Sequence, residues 1–147
     1  MNLYQHILLA VDFSEQSDYV AGKAKAIAKC YQTQLSIVHV LDNIPMPDTS
    51  YGTVISLTQD SGYDLLEDEK RRFNQMADQL HIEPMHRWLI WGVPKNEIVD
   101  IAHRENVDLI VVGSHGRHGL GLLLGSTANS VLHHANCDVM AVRLNEQ

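Results

Sequence analysis

The feature that most limits how this chain can fold is a repeated change in its hydrophobic period. Short, nearly continuous apolar runs such as HILLAV (His6–Val11) are typical of strands buried on both faces of a sheet. Between these runs, apolar residues recur every three or four positions, as on a helix with one buried face. The predicted strands cover residues 6–11, 35–41, 85–91, 108–113 and 137–144, and the predicted helices begin near Ser14, Tyr63, Pro94 and Ser126.

This alternation predicts one α/β domain over residues 1–147, a five-stranded parallel sheet with right-handed crossovers and helices on both faces. The least patterned segment, residues 42–62, is predicted to be a long connection with at most a short helical turn. Connections of this length are often binding lids or covers. The predicted inward positions of the helix over 63–80 and of the last helix are Leu66, Phe73, Met76, Ala77, Leu80, Ala128, Val131, Leu132 and Ala135.

Charge and composition exclude several classes of function. The formal net charge of −7 argues against sequence-independent nucleic-acid binding, which depends on lysines and arginines that neutralise phosphates. No segment approaches the roughly 18 apolar residues of a membrane span, and the N-terminus lacks the basic start of a signal peptide. A cytoplasmic location is therefore expected, with Cys30 and Cys137 as reduced thiols. The charged runs at 67–69 and 70–72 are expected to be a solvated helix face.

Five of the nine glycines lie between Val111 and Ser126, directly after the strongest predicted strand. Glycine lets other groups approach the backbone closely, so a cluster this dense is suited to a loop that presents N–H groups to an anion. Ser126 and Thr127 would open the following helix, where the helix dipole attracts negative charge. These glycines are Gly113, Gly116, Gly119, Gly121 and Gly125.

The position of such a site depends on the order of the strands. Ligands of open α/β sheets bind at the carboxyl ends of the strands, where the order reverses. An order of 2-1-3-4-5 would bring Asp12 near Gly92, whereas 3-2-1-4-5 would bring Asp12 beside Gly113. The distribution of glycines favours the second order. Asp12 would then accept hydrogen bonds from a ribose or amino group, or hold a divalent cation against phosphate oxygens.

Two familiar phosphate-binding patterns do not fit this chain. The P-loop G-x-x-x-x-G-K-[ST] requires a lysine where Gly125 stands. The dinucleotide pattern G-x-G-x-x-G should follow the first strand, but Asp12 follows it and the next glycine is Gly22. Neither kinase-like hydrolysis nor nicotinamide redox chemistry is supported.

The segments ILLAVDFSEQS, LSIVHV and DLIVVGSHGRHG…LLLGSTANSVLHHANCDVMAV resemble the universal stress protein family, and its A type in particular. The likeness covers almost the whole chain and is weakest over residues 42–62. It implies a Rossmann-like, adenine nucleotide alpha hydrolase-like sheet in the order 3-2-1-4-5. It also implies homodimers that form through the last strand, Asp138 to Arg143.

Family members that bind ATP resemble one another in a pattern G-x-x-G, nine further residues, then G-[ST]. This chain supplies the glycines and the serine, but only eight residues separate Gly116 from Gly125. The resemblance implies that Asp12 lies near ribose and adenine, and that Ser126 and Thr127 lie at the phosphates. The implied cofactor is ATP or a related adenine nucleotide, with Mg²⁺ if ATP is bound. The full set of candidate binding residues is Ala10, Val11, Asp12, Val40, Val112, Gly113, Gly116, Gly125, Ser126 and Thr127.

Other reactive groups favour structural roles. A zinc site at His115, His118, His133 and His134 is less favoured than exposed or capping histidines, because adjacent helical residues point about 100° apart. His39, within a buried strand, is expected to be a hydrogen-bonded core histidine and not a catalytic base. Ser114 lies in no G-x-S-x-G elbow, so a nucleophile there is not supported. The apolar run Leu120 to Leu124 is expected to pack against the protein itself.

Three functions remain open at this point. The first is a non-catalytic, cytoplasmic, dimeric stress-response protein that binds an adenine nucleotide and hydrolyses it slowly at most. The second is the same scaffold without a nucleotide, acting only through contacts with unknown protein partners. The third, an enzyme that adenylates a substrate, has only analogy of fold in its favour.

Overall fold

The computed structural model describes residues 3–44, 49–114 and 124–144. Strands and helices alternate along the chain, as the hydrophobic pattern predicts. In order they are β1 (His6–Val11), α1 (Ser17–Tyr31), β2 (Gln34–Leu41), β3 (Thr53–Val54), α2 (Asp64–Gln79), a 3₁₀ turn (Pro84–His86), β4 (Arg87–Trp91), α3 (Pro94–Arg104), β5 (Leu109–Gly113), α4 (Ser126–His134) and β6 (Asp138–Val142).

The strands form one sheet in the order β3-β4-β2-β1-β5-β6. The neighbours from β4 to β6 are all parallel, so the order 3-2-1-4-5 of the five predicted strands is confirmed. The predicted number of strands is wrong. A sixth strand, β3, pairs antiparallel with β4 at the edge, which makes the sheet mixed.

The additional strand arises within the segment predicted to be a connection. Gly52 has a φ of +89°, a left-handed conformation that favours glycine and turns the chain back toward β4. Its N–H donates to the Trp91 carbonyl at 2.7 Å, and the Ile55 N–H donates to the Leu89 carbonyl at 2.7 Å. The ring of Tyr51 packs on that of Trp91 with centroids 4.7 Å apart. The segment therefore folds onto the exposed edge of β4.

Helices cover both faces of the sheet, as predicted. Alternate residues of β1 point to opposite sides: Ile7 and Leu9 pack with α1 and α2, whereas Leu8 and Ala10 pack with α3 and α4. This alternation explains why the strand is a continuous apolar run. The central strands are thus buried, and ligands can approach only from the ends of the sheet.

Several predicted boundaries and orientations differ from the structure. Helix α1 begins at Ser17 after Gln16, so Ser14 is not its N-cap. The strand predicted over 85–91 begins later, because Pro84–His86 forms the 3₁₀ turn. Leu132, predicted to face inward, is 51% exposed on α4. Leu80 and Ala135 are half-buried and the other predicted inward residues are buried.

Some charged residues of α2 are buried or half-buried and hydrogen-bonded, which those of a solvated face would not be. Lys70 is only 5% exposed, and its ammonium donates to the Gln59 carbonyl at 2.7 Å and to Glu67 Oε1 at 3.0 Å. The preceding connection passes over this side chain, which sequence periodicity does not reveal. Asp68, Arg71 and Arg72 are exposed as predicted, and the Arg71 guanidinium pairs with Asp68 at 2.8 Å.

Within the described ranges, no helix combines the length and apolar character needed to cross a membrane. Cys30 is exposed, Cys137 is half-buried, and both are free thiols. Burial raises the pKa of the Cys137 thiol, so this thiol stays protonated at neutral pH.

Candidate functional site

The sheet opens between β1 and β5 at the carboxyl ends of these strands. Their pairing runs from Ile7 opposite Leu109 to Leu9 opposite Val111, although the strands continue to Val11 and Gly113. After β1 the chain crosses to β2 on one side, and after β5 it crosses to β6 on the other side. The order of the strands therefore reverses between β1 and β5. Such a crevice is the usual ligand position of an open α/β sheet.

Asp12 lies at the first wall of the crevice, directly after β1. It is half-buried, and its Oδ1 accepts the Ser14 N–H at 3.0 Å and the Ser17 hydroxyl at 3.4 Å. Between them Phe13 takes a left-handed φ of 55°, an unusual conformation for a bulky residue. The carboxylate thus stabilises the turn on which it sits. Strain of this kind often marks functional positions.

The second wall is formed where β5 ends and α4 begins. Ser114 is buried, and its carbonyl accepts the N–H of Gly125 at 2.7 Å. This bond joins the two ends of the glycine-rich segment and places the start of α4 next to Gly113. It also occupies the Gly125 N–H, which therefore does not point into an open cradle as the sequence reasoning supposed.

The start of α4 carries the anion-binding capacity of the described residues. Gly125 is the N-cap, and no side chain caps this terminus within the described part of the chain. Its carbonyl accepts the Asn129 N–H at 2.8 Å, so the helical bonding begins at that amide. The amides of residues 126–128 precede that bond, and the exposed Ser126 and half-buried Thr127 add hydroxyl donors.

The apolar candidates lie beneath the crevice. Ala10, Val40 and Val112 belong to the core under α3 and α4, and Val11 belongs to the core under α1 and α2. All four side chains are at most 9% exposed. A ligand above the strand ends would therefore contact the main chain of these four residues and only the edges of their side chains. Gly116 lies outside the described residues.

The family model described as the universal stress protein family matches residues 3–143. The chain belongs to the universal stress protein family. Universal stress protein A homolog 2 of Coxiella burnetii is 41% identical over 145 residues, with 98% of each chain covered. This match confirms the resemblance to the A type.

Solved structures of similar fold extend the comparison. The hypothetical protein MJ0577 is 25% identical, covers 99% of both chains and has a TM-score of 0.75. A universal stress protein whose crystal structure is in complex with cAMP is 23% identical, with a TM-score of 0.66 over 98% of this chain and 99% of that chain. This second likeness concerns the fold alone.

Sequence reasoning missed the side chains that surround the Asp12 turn in this universal stress protein. The Phe13 ring meets the imidazole of His39 edge-on at 4.7 Å, and the Arg72 guanidinium lies 5.5 Å from the Phe13 centroid. Glu69, on the same helix as Arg72, approaches His39 as well. These contacts join residues distant in sequence. The nearest signal in the sequence was His39 itself, a polar residue within an apolar strand.

The described residues also line two cavities outside the crevice. One of about 480 Å³ lies between α1 and α2, and its lining includes Phe13, Ser17 and Arg72. Another of about 560 Å³ lies along α3 and includes Tyr51 and Glu97 in its lining. Burial raises the pKa of the Glu97 carboxyl, and Asp100 adds to this effect. Neither cavity contains the residues predicted to bind a nucleotide.

The remaining predicted groups lie partly within the described residues. His133 and His134 are exposed on α4, and His134 Nδ1 donates to the Ser130 carbonyl of its own helix at 2.8 Å. His115 and His118 lie outside the described residues, as do residues 120–123 of the leucine run. Leu124, the last of that run, is 37% exposed.

Proposed function

We propose that this universal stress protein binds an adenine nucleotide, ATP with Mg²⁺ in the first instance, in the crevice between β1 and β5. The observation that carries the proposal is the helix start at Gly125, which no described side chain caps and which is held next to the end of β5, where the strand order reverses. The positive end of a helix dipole together with free amides favours phosphate. Asp12, across the crevice and directly after β1, suits a ribose hydroxyl or a divalent cation.

The groups at the crevice fit binding better than catalysis. Main-chain amides and the hydroxyls of Ser126 and Thr127 orient phosphate oxygens, and they do not activate a nucleophile. The Oδ1 atom of Asp12 already accepts the Ser14 N–H. We therefore propose a non-catalytic cytoplasmic protein that acts as a sensor or adaptor in the stress response. The cAMP complex of a protein of the same fold adds support for an adenine nucleotide.

We also propose that the protein works as a homodimer joined through β6. This strand is the last in the sheet order, so one edge of its backbone faces away from β5. Met140 and Ala141 are exposed on it, and Leu132 of the adjacent α4 is 51% exposed. An edge strand with apolar side chains beside it is suited to pairing with a second copy.

A second candidate function is the same scaffold without a nucleotide, acting through protein contacts alone. Two observations favour it. The Gly125 N–H is already bonded to Ser114, and the loop has eight residues between Gly116 and Gly125 where ATP-binding relatives have nine. Both reduce the number of amides that could surround a triphosphate.

Nucleotide release and thermal stabilisation distinguish the two candidates. The purified protein is denatured and the supernatant analysed for adenine nucleotides, and the melting temperature is followed as ATP and Mg²⁺ are added. Binding to the folded state must raise the melting temperature as the ligand concentration rises. At a hundred times the Kd, the bound ligand adds about 2.7 kcal/mol to the free energy of unfolding. If no nucleotide co-purifies and millimolar ATP does not shift the melting temperature, the second candidate remains.

Paired variants assign the binding to the crevice. Asp12→Asn keeps an oxygen for the Ser14 N–H but loses the charge, and we expect it to weaken ATP binding about tenfold. Asp18→Asn removes the same charge from an exposed position in the first turn of α1 and should bind as the wild type does. Equal affinities of the two variants would place the nucleotide elsewhere.

A further inference from the structure

His39 is a buried histidine whose two ring nitrogens face different elements. It is 4% exposed, and its Nδ1 lies 2.8 Å from the Val11 carbonyl oxygen at the end of β1. A carbonyl oxygen can only accept, so Nδ1 carries the proton and donates. Its Nε2 lies 3.5 Å from Oε2 of Glu69 on α2. The ring therefore spans from α2 to the last residue of β1.

The bond to Val11 has a direct geometric consequence for Asp12. The carbonyl of Val11 and the N–H of Asp12 belong to one planar peptide group. Holding this oxygen in place fixes the orientation of the plane from which Asp12 departs. The carboxylate is thereby aimed by a side chain of the neighbouring strand.

The residue after Asp12 completes the arrangement. Phe13 has a left-handed φ of 55°, and such a conformation persists only where the surroundings determine it. The edge of its ring rests on His39, with centroids 4.7 Å apart and planes at 80°. The Arg72 guanidinium lies over the same ring. The imidazole thus supports the turn on both sides of Asp12, through the Val11 carbonyl before it and the Phe13 ring after it.

We propose that His39 is a positioning residue that aims Asp12 at a bound nucleotide and ties this position to α2 through Glu69. The assignment rests on the proposed function. Neither ring nitrogen faces the crevice, because one donates to Val11 and the other is directed at α2, so His39 acts through Asp12 and not on the ligand. The charged groups of the elements around it are Asp12, directly after β1, and Glu69 and Arg72 on α2. A nucleotide at Asp12 is accordingly coupled to the position of α2.

Two amide substitutions separate the two sides of the ring. In His39→Asn the side-chain nitrogen occupies the place of Nδ1, which keeps the bond to Val11 and removes the group that faces Glu69. In His39→Gln the nitrogen occupies the place of Nε2, which keeps the contact with Glu69 and removes the donor to Val11. Both new side chains are neutral amides smaller than histidine, so the loss of the ring and the change in volume affect both variants. His86→Asn, at the opposite end of the sheet, is the control.

The first measurement is the position of the backbone amide signals of residues 12–14 in nitrogen-15 NMR spectra of the ligand-free protein. His39→Gln should move these signals, whereas His39→Asn and the control should leave them close to their wild-type positions. The second is the Kd for ATP, which should rise about tenfold in His39→Gln and stay within about threefold of wild type in His39→Asn. If His39→Gln does not fold, His39→Leu, which likewise lacks the donor to Val11, replaces it and should give the same two results.

The two measurements keep this inference separate from the proposed function. If the wild type binds no ATP, the proposed function fails, and the amide signals still decide whether His39 positions the turn. If ATP binds and His39→Gln binds it as tightly as His39→Asn, His39 has no positioning role. Unchanged amide signals in His39→Gln would overturn the inference in either case.

Discussion

At the scale of single residues, Ser114 shows how a buried polar group organises the end of β5. Its N–H donates to the Val142 carbonyl at 2.8 Å, and its hydroxyl oxygen accepts the Leu144 N–H at 3.1 Å. The serine is 7% exposed, so a reactive hydroxyl is not what the fold presents here. Ser114 instead connects β5 to the end of β6.

Replacing Ser114 with alanine should lower the free energy of unfolding by about 1–2 kcal/mol, because the buried Leu144 N–H loses its acceptor. Urea unfolding at pH 7 measures this difference. Ser126→Ala is the matched control, since Ser126 is exposed and makes no capping hydrogen bond. It should change the stability by less than about 0.5 kcal/mol. An equal loss in both variants would contradict the role of Ser114.

Some residue roles were predictable and others were not. His39 was correctly predicted to be a hydrogen-bonded core histidine, because a polar side chain in a continuous apolar strand must find partners. The left-handed Phe13 was not predictable, since a backbone conformation unfavourable for its own residue is imposed by tertiary contacts. The buried Lys70 was missed for a similar reason, because the connection covers it only through contacts that the folded chain makes.

At the scale of elements, the start of α2 is bound to the connection that precedes it. Glu67 Oε1 accepts the Ser61 N–H at 2.9 Å, the Ser61 hydroxyl at 2.8 Å and the Lys70 ammonium at 3.0 Å. The Ser61 N–H, then Lys70 and the Ser61 hydroxyl lower the pKa of the Glu67 carboxyl from 4.5 to about 2. The helix therefore depends on an ionised Glu67.

Acid titration tests this dependence. A folded-state pKa below the unfolded value contributes stability that is present above pH 4.5 and lost as the pH falls toward about 2. Glu67→Gln should thus be less stable than wild type at pH 7, and this deficit should vanish over that interval. Urea midpoints at a series of pH values measure it. Asp68→Asn, whose partner Arg71 is exposed, should show a smaller change with pH.

The elements with a clear hydrophobic period were predicted to within a few residues, whereas β3 was not predicted at all. A strand of two residues, Thr53–Val54, has no period to detect. It exists because Gly52 turns the chain and Tyr51 packs on Trp91, which are contacts made only after β4 is in place. The predicted connection was therefore a reasonable interpretation of the sequence, and tertiary structure changed it.

At the scale of the whole molecule, the order of the strands followed from chemistry more than from pattern. Alternating strands and helices permit two common orders. The concentration of glycines after β5 and the family resemblance both favoured the one that the structure confirms. The position of Asp12 after β1, next to the strand that ends at Gly113, was predictable on that basis. The bond between Ser114 and Gly125 was not, because it depends on how the glycine-rich segment closes.

The proposed homodimer makes a prediction at this same scale. Met140 is 38% exposed on β6. If this strand pairs symmetrically with its copy, the Met140 side chains of the two protomers would lie close together. Met140→Lys should raise the dimer dissociation constant about a hundredfold, because like charges are brought together. Sedimentation velocity over a range of micromolar concentrations measures it.

Met85→Lys provides the comparison for this substitution. Met85 is 70% exposed and precedes β4, far from β6 in the sheet order. This variant should sediment as the wild type does. Dissociation of both variants, or of neither, would argue against pairing through β6.

The hydrogen bond from Gly125 to Ser114 has a consequence for how such proteins diversify. It fastens the chain on either side of residues 115–124, so the scaffold does not rely on the number of residues between the two anchors. Lengthening a segment between two fixed anchors by one residue costs little entropy. Under the proposed function, insertions and deletions there would change which nucleotides bind while the described strands and helices keep their places. The single-residue difference from the ATP-binding pattern is a change of this kind.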